Sequence, residues 1–256
     1  MFAEFFNGEI SLTQNSRKLW IDLGNTRLKY WLTEGETLIA SGAELHLQSP
    51  ADLLLGLVDR FSSYQASFVG VSSVLDSQAN QRIKRSLAPL NTPVEFAQVL
   101  ATSHGLITGY DHIEKLGIDR WLQVLALSGQ YKNFCIVGCG TALTLDLLDD
   151  EKHLGGYILP SFYLQREALA QGTRRVQVPE GAFSDLSAGR NTQDAVHHGI
   201  LLGLVGAIEK LVRHEPSREL VLTGGDAELI QGFLDVPNEI RIESDLLLKG
   251  LQRYFS

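Results

Sequence analysis

The sequence predicts an α/β protein of two domains, each with the element order βββαβα and related to each other by duplication. Two observations carry this prediction. A pair of alternating apolar segments joined by a tight, glycine-containing turn occurs twice, around residues 22–26 and around residues 138–141. Each pair is followed by a third alternating segment, then by helical periodicity and another short apolar strand. The 256 residues suffice for two domains of roughly 100–150 residues each.

The first half of the chain accounts for one complete unit. Residues 18–47 alternate as three strands of a meander, with the polar turn at residues 22–26 between the first two. Pro50 then introduces a helical pattern, as proline commonly does at the start of a helix. The elements predicted after the meander are a helix, a strand, a helix and an edge strand, at residues 51–61, 67–71, 77–87 and 93–96.

The second half repeats the pattern after a bridging helix at residues 118–128. An apolar strand runs into the glycine turn at residues 138–141, and two further alternating segments complete a second meander. Helical periodicity, a short strand ending in two glycines and a last helix follow. The predicted strands are residues 134–141, 142–148, 153–159 and 220–222, and the predicted helices are residues 163–170, 192–213 and 246–254.

These elements place the domain boundary at the bridging helix. We expect a first domain over residues 17–117 and a second over residues 118–256. Residues 1–16 lack the basic start and long apolar centre of a signal peptide, so we expect a disordered extension there.

Composition excludes several classes of protein. The net charge of −8 argues against bulk attraction to nucleic acid or to anionic lipid, so neither is an expected partner. The sequence has no run of about 18 apolar residues, which is the length that would predict a membrane span. Cys135 and Cys139 lie four apart on one predicted strand, a spacing that disfavours a disulfide, and we expect a cytoplasmic protein. Adjacent His197 and His198 point about 100° apart on a helix and do not converge on one metal ion.

The three glycine turns suggest a site for a nucleotide. Glycine allows backbone N–H groups to approach an anion closely, and the hydroxyls of Thr26 and Thr141 add donors. Asp22 would repel a phosphate directly but can hold it through Mg²⁺, usually with water between them. The third turn, at residues 223–226, would leave a flat surface for a base or ribose. The alternative is ordinary hairpin chemistry, because Asp, Gly and Asn also suit a tight turn.

The order of these turns resembles the ATP-binding superfamily of actin, Hsp70 and the sugar kinases. More narrowly, the chain resembles the type III pantothenate kinases, a family that also contains the Bvg accessory factor proteins. The motifs that carry this resemblance are D-L-G-N-T-R-L-K (22–29), G-Y-x6-G-I-D-R-W (109–121), G-C-G-T-A-L-T-L-D (138–146), G-G-Y-I-L-P (155–160), N-T-x-D-A-V-x2-G (191–199) and L-T-G-G-D (222–226). No Walker A pattern is present.

The resemblance implies both a fold and an activity. The two domains would be actin-like, that is ribonuclease H-like, with the active site in the cleft between them. The enzyme would transfer a phosphoryl group from ATP to pantothenate, giving 4′-phosphopantothenate in the first step of coenzyme A biosynthesis. It would use Mg²⁺ and a monovalent cation, and would be a homodimer.

The resemblance also assigns residues. Asp119 would be the catalytic base that accepts the proton of the pantothenate hydroxyl. Asp22 would hold Mg²⁺ through water. The substrate would be bound by Tyr110, Gly117, Ile118, Asp119, Arg120 and Thr192. ATP would be bound by Asp22, Leu23, Gly24, Asn25, Thr26, Arg27, Leu28, Lys29, Thr141, Gly224 and Gly225.

Each assignment has a structural alternative. Asp119 suits the first turn of a helix for its charge alone, and Arg120 suits an ordinary salt bridge. Thr192 stands where a helix N-cap is expected, which is itself a complete reason for a threonine. Lys29 lies on the returning strand and faces either solvent or the nucleotide.

One position departs from the family pattern. Many members of the family read D-x-G-T where this chain has Gly138 to Thr141, and that aspartate is associated with bound potassium or ammonium. Gly138 has no carboxylate, so either other oxygens hold the cation or dependence on it is weak or lost. We expect weakened dependence.

Two other functions compete with this interpretation. One is a kinase of the same superfamily that acts on another small hydroxylated substrate, which the motif at residues 117–120 disfavours. The other is a nucleotide-binding accessory protein without catalysis, which the presence of Asp22, Asp119 and Arg120 disfavours.

Overall fold

The computed structural model describes residues 16–46, 49–130, 132–172 and 185–256. The predicted disordered extension therefore lies, except for Ser16, outside the described residues. The elements from the N-terminus are β1 (Arg17–Leu23), β2 (Arg27–Glu34), β3 (Thr37–Leu45), α1 (Pro50–Ser63), β4 (Phe68–Ser73), α2 (Ser77–Leu87) and β5 (Val94–Phe96). They continue as β6 (Thr102–Ser103), β7 (Leu106–Ile107), α3 (Ile118–Leu127), β8 (Asn133–Cys139), β9 (Ala142–Asp149) and β10 (Lys152–Pro160). The last are α4 (Phe162–Gly172), α5 (Thr192–Val212), β11 (Glu219–Thr223), α6 (Ala227–Gln231), β12 (Ile240–Ile242) and α7 (Leu246–Tyr254).

The first sheet has five strands in the order β3-β2-β1-β4-β5. Strands β1 and β2 pair antiparallel, with Trp20 opposite Trp31. Both tryptophans are buried, and the Trp20 indole donates to the Thr33 hydroxyl at 2.9 Å. Ser49 caps α1 by accepting from the Asp52 backbone, and Pro50 begins the helix. The predicted meander and both predicted helices of the first half are confirmed.

The second sheet repeats the strand order of the first. Its seven strands run β12-β11-β8-β9-β10-β7-β6, so β10-β9-β8-β11-β12 corresponds to β3-β2-β1-β4-β5. In both sheets an antiparallel meander supplies three strands, and in the second β11 and β12 add in parallel beside β8. The predicted duplication of an α/β unit is therefore confirmed.

Helix α5 packs on this second sheet. Its buried residues, among them Leu201, Leu204 and Ile208, join one core with the apolar side chains of β8, β9 and β11. By length and composition the helix would also be long enough to cross a membrane. Its packing on the sheet gives that apolar composition a structural reason.

The described residues divide into two compact units. Of the described residues, one unit contains those in the ranges 16–23, 27–71 and 76–95. The other contains those in the ranges 24–26, 72–75 and 96–256. Residues 96–117, which the sequence analysis assigns to the first domain, belong to the second unit because β7 pairs with β10 and β6 pairs with β7. These strands have two residues each, too short for an alternating pattern to predict. Strand β12 and helix α6, with three and five residues, were also not predicted from the sequence.

Candidate active site

Helix α3 brings the candidate base into place. It begins at Ile118 after Gly117, whose extended backbone precedes the first turn, and Asp119 is the acidic residue of that turn. A Cβ on Gly117 would lie 2.6 Å from the Asp119 Oδ1 atom, so only glycine leaves room for the carboxylate to fold back over the chain. Trp121, Leu122 and the other apolar residues of α3 are buried, which fixes the helix and hence the carboxylate.

The environment of Asp119 favours its protonated form more than water does. Burial, the largest cause, raises the pKa of the Asp119 carboxyl, and the negative charge of Asp146 adds to the rise. The backbone N–H and the positive charge of Arg120 act in the opposite direction. A carboxylate whose pKa is raised is a stronger proton acceptor, which is what a general base requires.

Arg120, the next residue, is held by a buried carboxylate. Its Nε donates to Asp146 Oδ2 at 2.8 Å and its Nη2 donates to Asp146 Oδ1 at 2.6 Å, a two-bond fork. Arg120 is 5% exposed and Asp146 is 2% exposed. A third N–H, on Nη1, donates to the Tyr110 hydroxyl at 2.9 Å. Arg120 therefore forms the salt bridge that was its structural alternative, and its partner in that salt bridge is Asp146.

His153 closes this group into a ring. Its Nε2 lies 3.0 Å from Asp146 Oδ1, and the side chain is fully buried. The imidazole stacks on the Tyr110 ring, with centroids 5.9 Å apart and an interplanar angle of 11°. Each of the four side chains, Tyr110, Arg120, Asp146 and His153, thus touches two others of the set. We call this set the arginine ring.

Two glycines make space for the arginine ring. A Cβ on Gly156 would lie 2.7 Å from Arg120 Nη2 and 2.8 Å from Asp146 Oδ1. A Cβ on Gly109 would lie 1.9 Å from the His153 carbonyl oxygen. Contacts this short exclude any larger residue. The glycines of G-Y and G-G-Y-I-L-P therefore have a direct packing role.

An open pocket of about 530 Å³ adjoins the arginine ring. Tyr110 belongs to both, because its ring lines the pocket while its hydroxyl accepts from Arg120. The lining residues are Gly109, Tyr110, Asp111, His112, Lys115, Leu147, Leu154, Gly155, Gly156 and Tyr157. A volume of this size is ample for a small organic substrate.

The three predicted glycine turns come close together. The hydroxyls of Thr26 and Thr141, in the first and second turns, lie 3.0 Å apart. The third turn approaches the end of β8, since a Cβ on Gly224 would be 2.2 Å from the Cys139 carbonyl oxygen. Gly224 also has a φ of +99°, a backbone conformation that residues with a side chain rarely adopt. Gly224, Gly225, Thr26 and Thr141 are all exposed.

The strands beside the first turn divide its candidate residues into two groups. Asp22 and Lys29 are cross-strand partners, so their side chains share one face of the sheet. Asp22 is 7% exposed, whereas Lys29 is exposed. Leu23 and Leu28 are fully buried, so only their main chain is left to contact a ligand.

The position of Gly138 has no room for a side chain. A Cβ there would be 2.4 Å from Thr144 Oγ1 and 3.5 Å from Gln123 Oε1. Gln123 Oε1 is buried and makes no hydrogen bond within the described residues. Two neutral side-chain oxygens therefore lie where the family pattern has a carboxylate.

Thr192 does not cap helix α5, contrary to the sequence-based expectation. Asn191 is the N-cap, and its Oδ1 accepts from the Asp194 backbone at 2.9 Å. Asparagine competes equally well for that position, which is why the residue types alone misplaced the cap by one. Thr192 is exposed in the first turn and is thereby left without the structural role proposed for it.

The remaining candidate side chains have structural surroundings. His198 Nδ1 lies 2.7 Å from the Ser187 carbonyl oxygen, and His197 is buried. Burial raises the pKa of both the Cys135 and the Cys139 thiol to about 12, which makes them unreactive.

Sequence reasoning missed Asp146 and His153 as members of the site. Asp146 stands within the quoted motif G-C-G-T-A-L-T-L-D but received no role. Its position on β9 opposite Gly156 on β10 is a signal that residue spacing alone does not give. A charged residue in the middle of a buried alternating strand was the available clue.

The chain is similar in sequence to known proteins over most of its length. The sequence profile described as type III pantothenate kinase matches residues 18–214. The chain is 57% identical to a type III pantothenate kinase of Acinetobacter baylyi, over 93% of this chain and 97% of that protein. It is 55% identical to one of Acinetobacter baumannii, over 94% and 98%.

Solved structures agree in fold. A putative Baf family transcriptional activator from Campylobacter jejuni superposes with a TM-score of 0.59 at 20% identity, covering 93% of this chain and 96% of that one. A putative N-acetylmannosamine kinase from Listeria monocytogenes superposes with a TM-score of 0.55 at 14% identity, covering 93% and 98%. At these identities the likeness concerns the fold, which is the actin-like one shared with sugar kinases.

Proposed function

This chain belongs to the type III pantothenate kinase family, and on that premise we propose that Asp119 is the base of its reaction. The chain phosphorylates pantothenate with ATP in the first step of coenzyme A biosynthesis. In the proposed mechanism Asp119 accepts the proton of the pantothenate primary hydroxyl while the hydroxyl oxygen attacks the γ-phosphorus. The bond from the γ-phosphorus to the β–γ bridging oxygen breaks, and ADP leaves with that oxygen. Phosphoryl transfer asks little more of a protein than positioning, charge neutralisation and this proton transfer.

One observation carries this proposal above the others. Asp119 is largely buried at the start of α3, and its carboxyl pKa is raised by that burial and by Asp146. Gly117, which leaves room for the carboxylate, supports the same role.

We assign the phosphates of ATP to the glycine turns. Thr26 and Thr141 supply hydroxyl donors 3.0 Å apart, and Gly224 and Gly225 are exposed beside them as the proposed adenosine surface. Asp22 would hold Mg²⁺ through water, and the ion when bound would neutralise the phosphates. Asp22 would be the single carboxylate that holds the ion, since no cluster of three or more metal-ligating side chains occurs within the described part of the chain. We assign Lys29 to the nucleotide site as well, because its side chain lies on the same face of the sheet as that of Asp22.

The oxygens around Gly138 do not fit a tightly bound monovalent cation. Thr144 Oγ1 fills the space where a side chain would begin, and no carboxylate is present at that position. We therefore propose that the enzyme depends only weakly on potassium or ammonium.

We also propose a cytoplasmic homodimer that uses the exposed side of α5. A Cβ on Gly199, Gly203 or Gly206 would meet nothing within 4 Å, so this stripe is uncovered by the described residues. Leu202 on the same helix is 58% exposed, and Tyr163 on the neighbouring α4 is 54% exposed. A small-residue stripe flanked by apolar side chains suits close packing with a second copy. Sedimentation of Gly203→Arg as a monomer, against a dimeric wild type, would support this arrangement.

The function is tested by coupled ADP release with ATP, Mg²⁺ and pantothenate, followed by mass spectrometry of the product. We expect ADP release that requires pantothenate, together with a phosphorylated pantothenate. A folded protein that releases no ADP would instead be the non-catalytic nucleotide binder. Turnover with other small alcohols but not with pantothenate would indicate the other kinase.

A further inference from the structure

The guanidinium of Arg120 is already engaged by the protein. Its Nε and Nη2 donate to the two oxygens of Asp146, and its Nη1 donates to Tyr110. Of its five N–H groups, one on Nη1 and one on Nη2 are left. Asp146 occupies the side-on fork formed by Nε and Nη2 and compensates the positive charge, so a substrate carboxylate would meet an arginine that is already neutralised.

Pantothenate nevertheless carries a negative charge that its enzyme has to recognise. The only ionised group of the molecule is the carboxylate of its β-alanine half, at the end opposite the hydroxyl that is phosphorylated. If that hydroxyl lies at Asp119, the carboxylate lies away from it, along the pocket. A cation along the pocket, separate from Arg120, is the group that would distinguish pantothenate from neutral analogues.

Among the described residues that line this pocket, Lys115 is the only lysine or arginine. It ends the short 3₁₀ helix Ile113–Lys115, four residues before Asp119, and its side chain is exposed. Among the described residues, no Asp or Glu forms an ion pair with its ammonium, although Asp111 lines the same pocket. The other basic group there, His112, lies 3.5 Å from Glu114.

We propose that Lys115 binds the pantothenate carboxylate and gives the enzyme its preference for the acid over neutral analogues. The inference rests on the proposed function, since it takes pantothenate as the substrate of this pocket. An ammonium held over an otherwise open pocket adds a charge-assisted hydrogen bond without competing with Asp146 for Arg120.

The test compares two substrates in two proteins. Pantothenyl alcohol keeps the reacting hydroxyl but has a neutral primary alcohol group in place of the carboxylate. We expect the ratio of kcat/KM for pantothenate to kcat/KM for the alcohol to fall roughly 5- to 30-fold in Lys115→Gln, mainly through the KM for pantothenate. Lys115→Arg should keep most of the ratio. Lys84→Gln, at an exposed lysine of α2, is the control for charge removal.

Two results would contradict the inference. If both kcat/KM values of Lys115→Gln, and hence their ratio, equal those of the wild type and of Lys84→Gln, this ammonium does not meet the carboxylate. Equal losses with both substrates would assign Lys115 a structural role instead. Absence of pantothenate-dependent ADP release by the wild type would overturn the proposed function, and the inference with it, so the two failures are distinguishable.

Discussion

Removing the carboxylate of Asp146 should destabilise the protein far more than removing an exposed one. Asp146→Ala leaves the Arg120 guanidinium, which is 5% exposed, without the two charged hydrogen bonds that now satisfy it. It also takes away the Nε2 partner of His153 at 3.0 Å. Breaking a buried ion pair by deleting one partner costs about 3–5 kcal/mol.

Urea denaturation of the purified proteins measures this cost directly. Glu34→Ala is the matched control, since it breaks the Arg17–Glu34 pair, in which the side chains are 41% and 38% exposed. That control should lose no more than about 1 kcal/mol. The double variant Arg120→Met with Asp146→Leu should recover much of the stability but not the activity, because it removes both buried charges. A free energy of unfolding for Asp146→Ala within about 1 kcal/mol of the wild type would show that Asp146 does not stabilise the buried Arg120 charge.

Three further predictions concern the nucleotide, the cation and pH. Asp22→Asn should keep the fold and lose most turnover, whereas Asp59→Asn at an exposed carboxylate should not; intact turnover of Asp22→Asn would exclude its Mg²⁺ role. Replacing potassium by tetramethylammonium should leave the rate nearly unchanged, and steep potassium activation would contradict the account of Gly138. Because the folded-state pKa of Asp119 is raised, its ionised form destabilises the fold at neutral pH and protonation relieves this as pH falls. Asp119→Asn should therefore be more stable than the wild type at neutral pH, with the difference shrinking in acid; a constant difference in denaturation midpoint would argue against this.

Sequence reasoning reached the fold through local signals. Alternation, turn glycines and the Pro50 helix start all act within a few residues, so both meanders and most helices followed from them. Repetition of the same signals revealed the duplication, which the matching strand orders of the two sheets confirm. Strands of two or three residues, such as β6 and β12, carry too little pattern to be found this way.

The site was harder to predict because its contacts are long-range. The motifs supplied Asp119 and Arg120, but the partner of Arg120 lies 26 residues further along the chain. Only the register of β9 against β10 brings Asp146, His153 and Gly156 to the guanidinium. The start of α5 was hard to predict for a local reason. Asn191 and Thr192 are both suitable N-caps, and only the backbone conformation shows that Asn191 is the cap.

The role of Asp119 as the base for pantothenate phosphorylation can be tested on the purified enzyme. The most direct measurement is pantothenate-dependent ADP release by Asp119→Asn, made alongside calorimetric titration of pantothenate into the same protein. We predict that kcat falls by about 10²–10⁴-fold while pantothenate still binds with an affinity near that of the wild type. Turnover close to that of the wild type, in a variant that binds pantothenate, would show that another group accepts the proton.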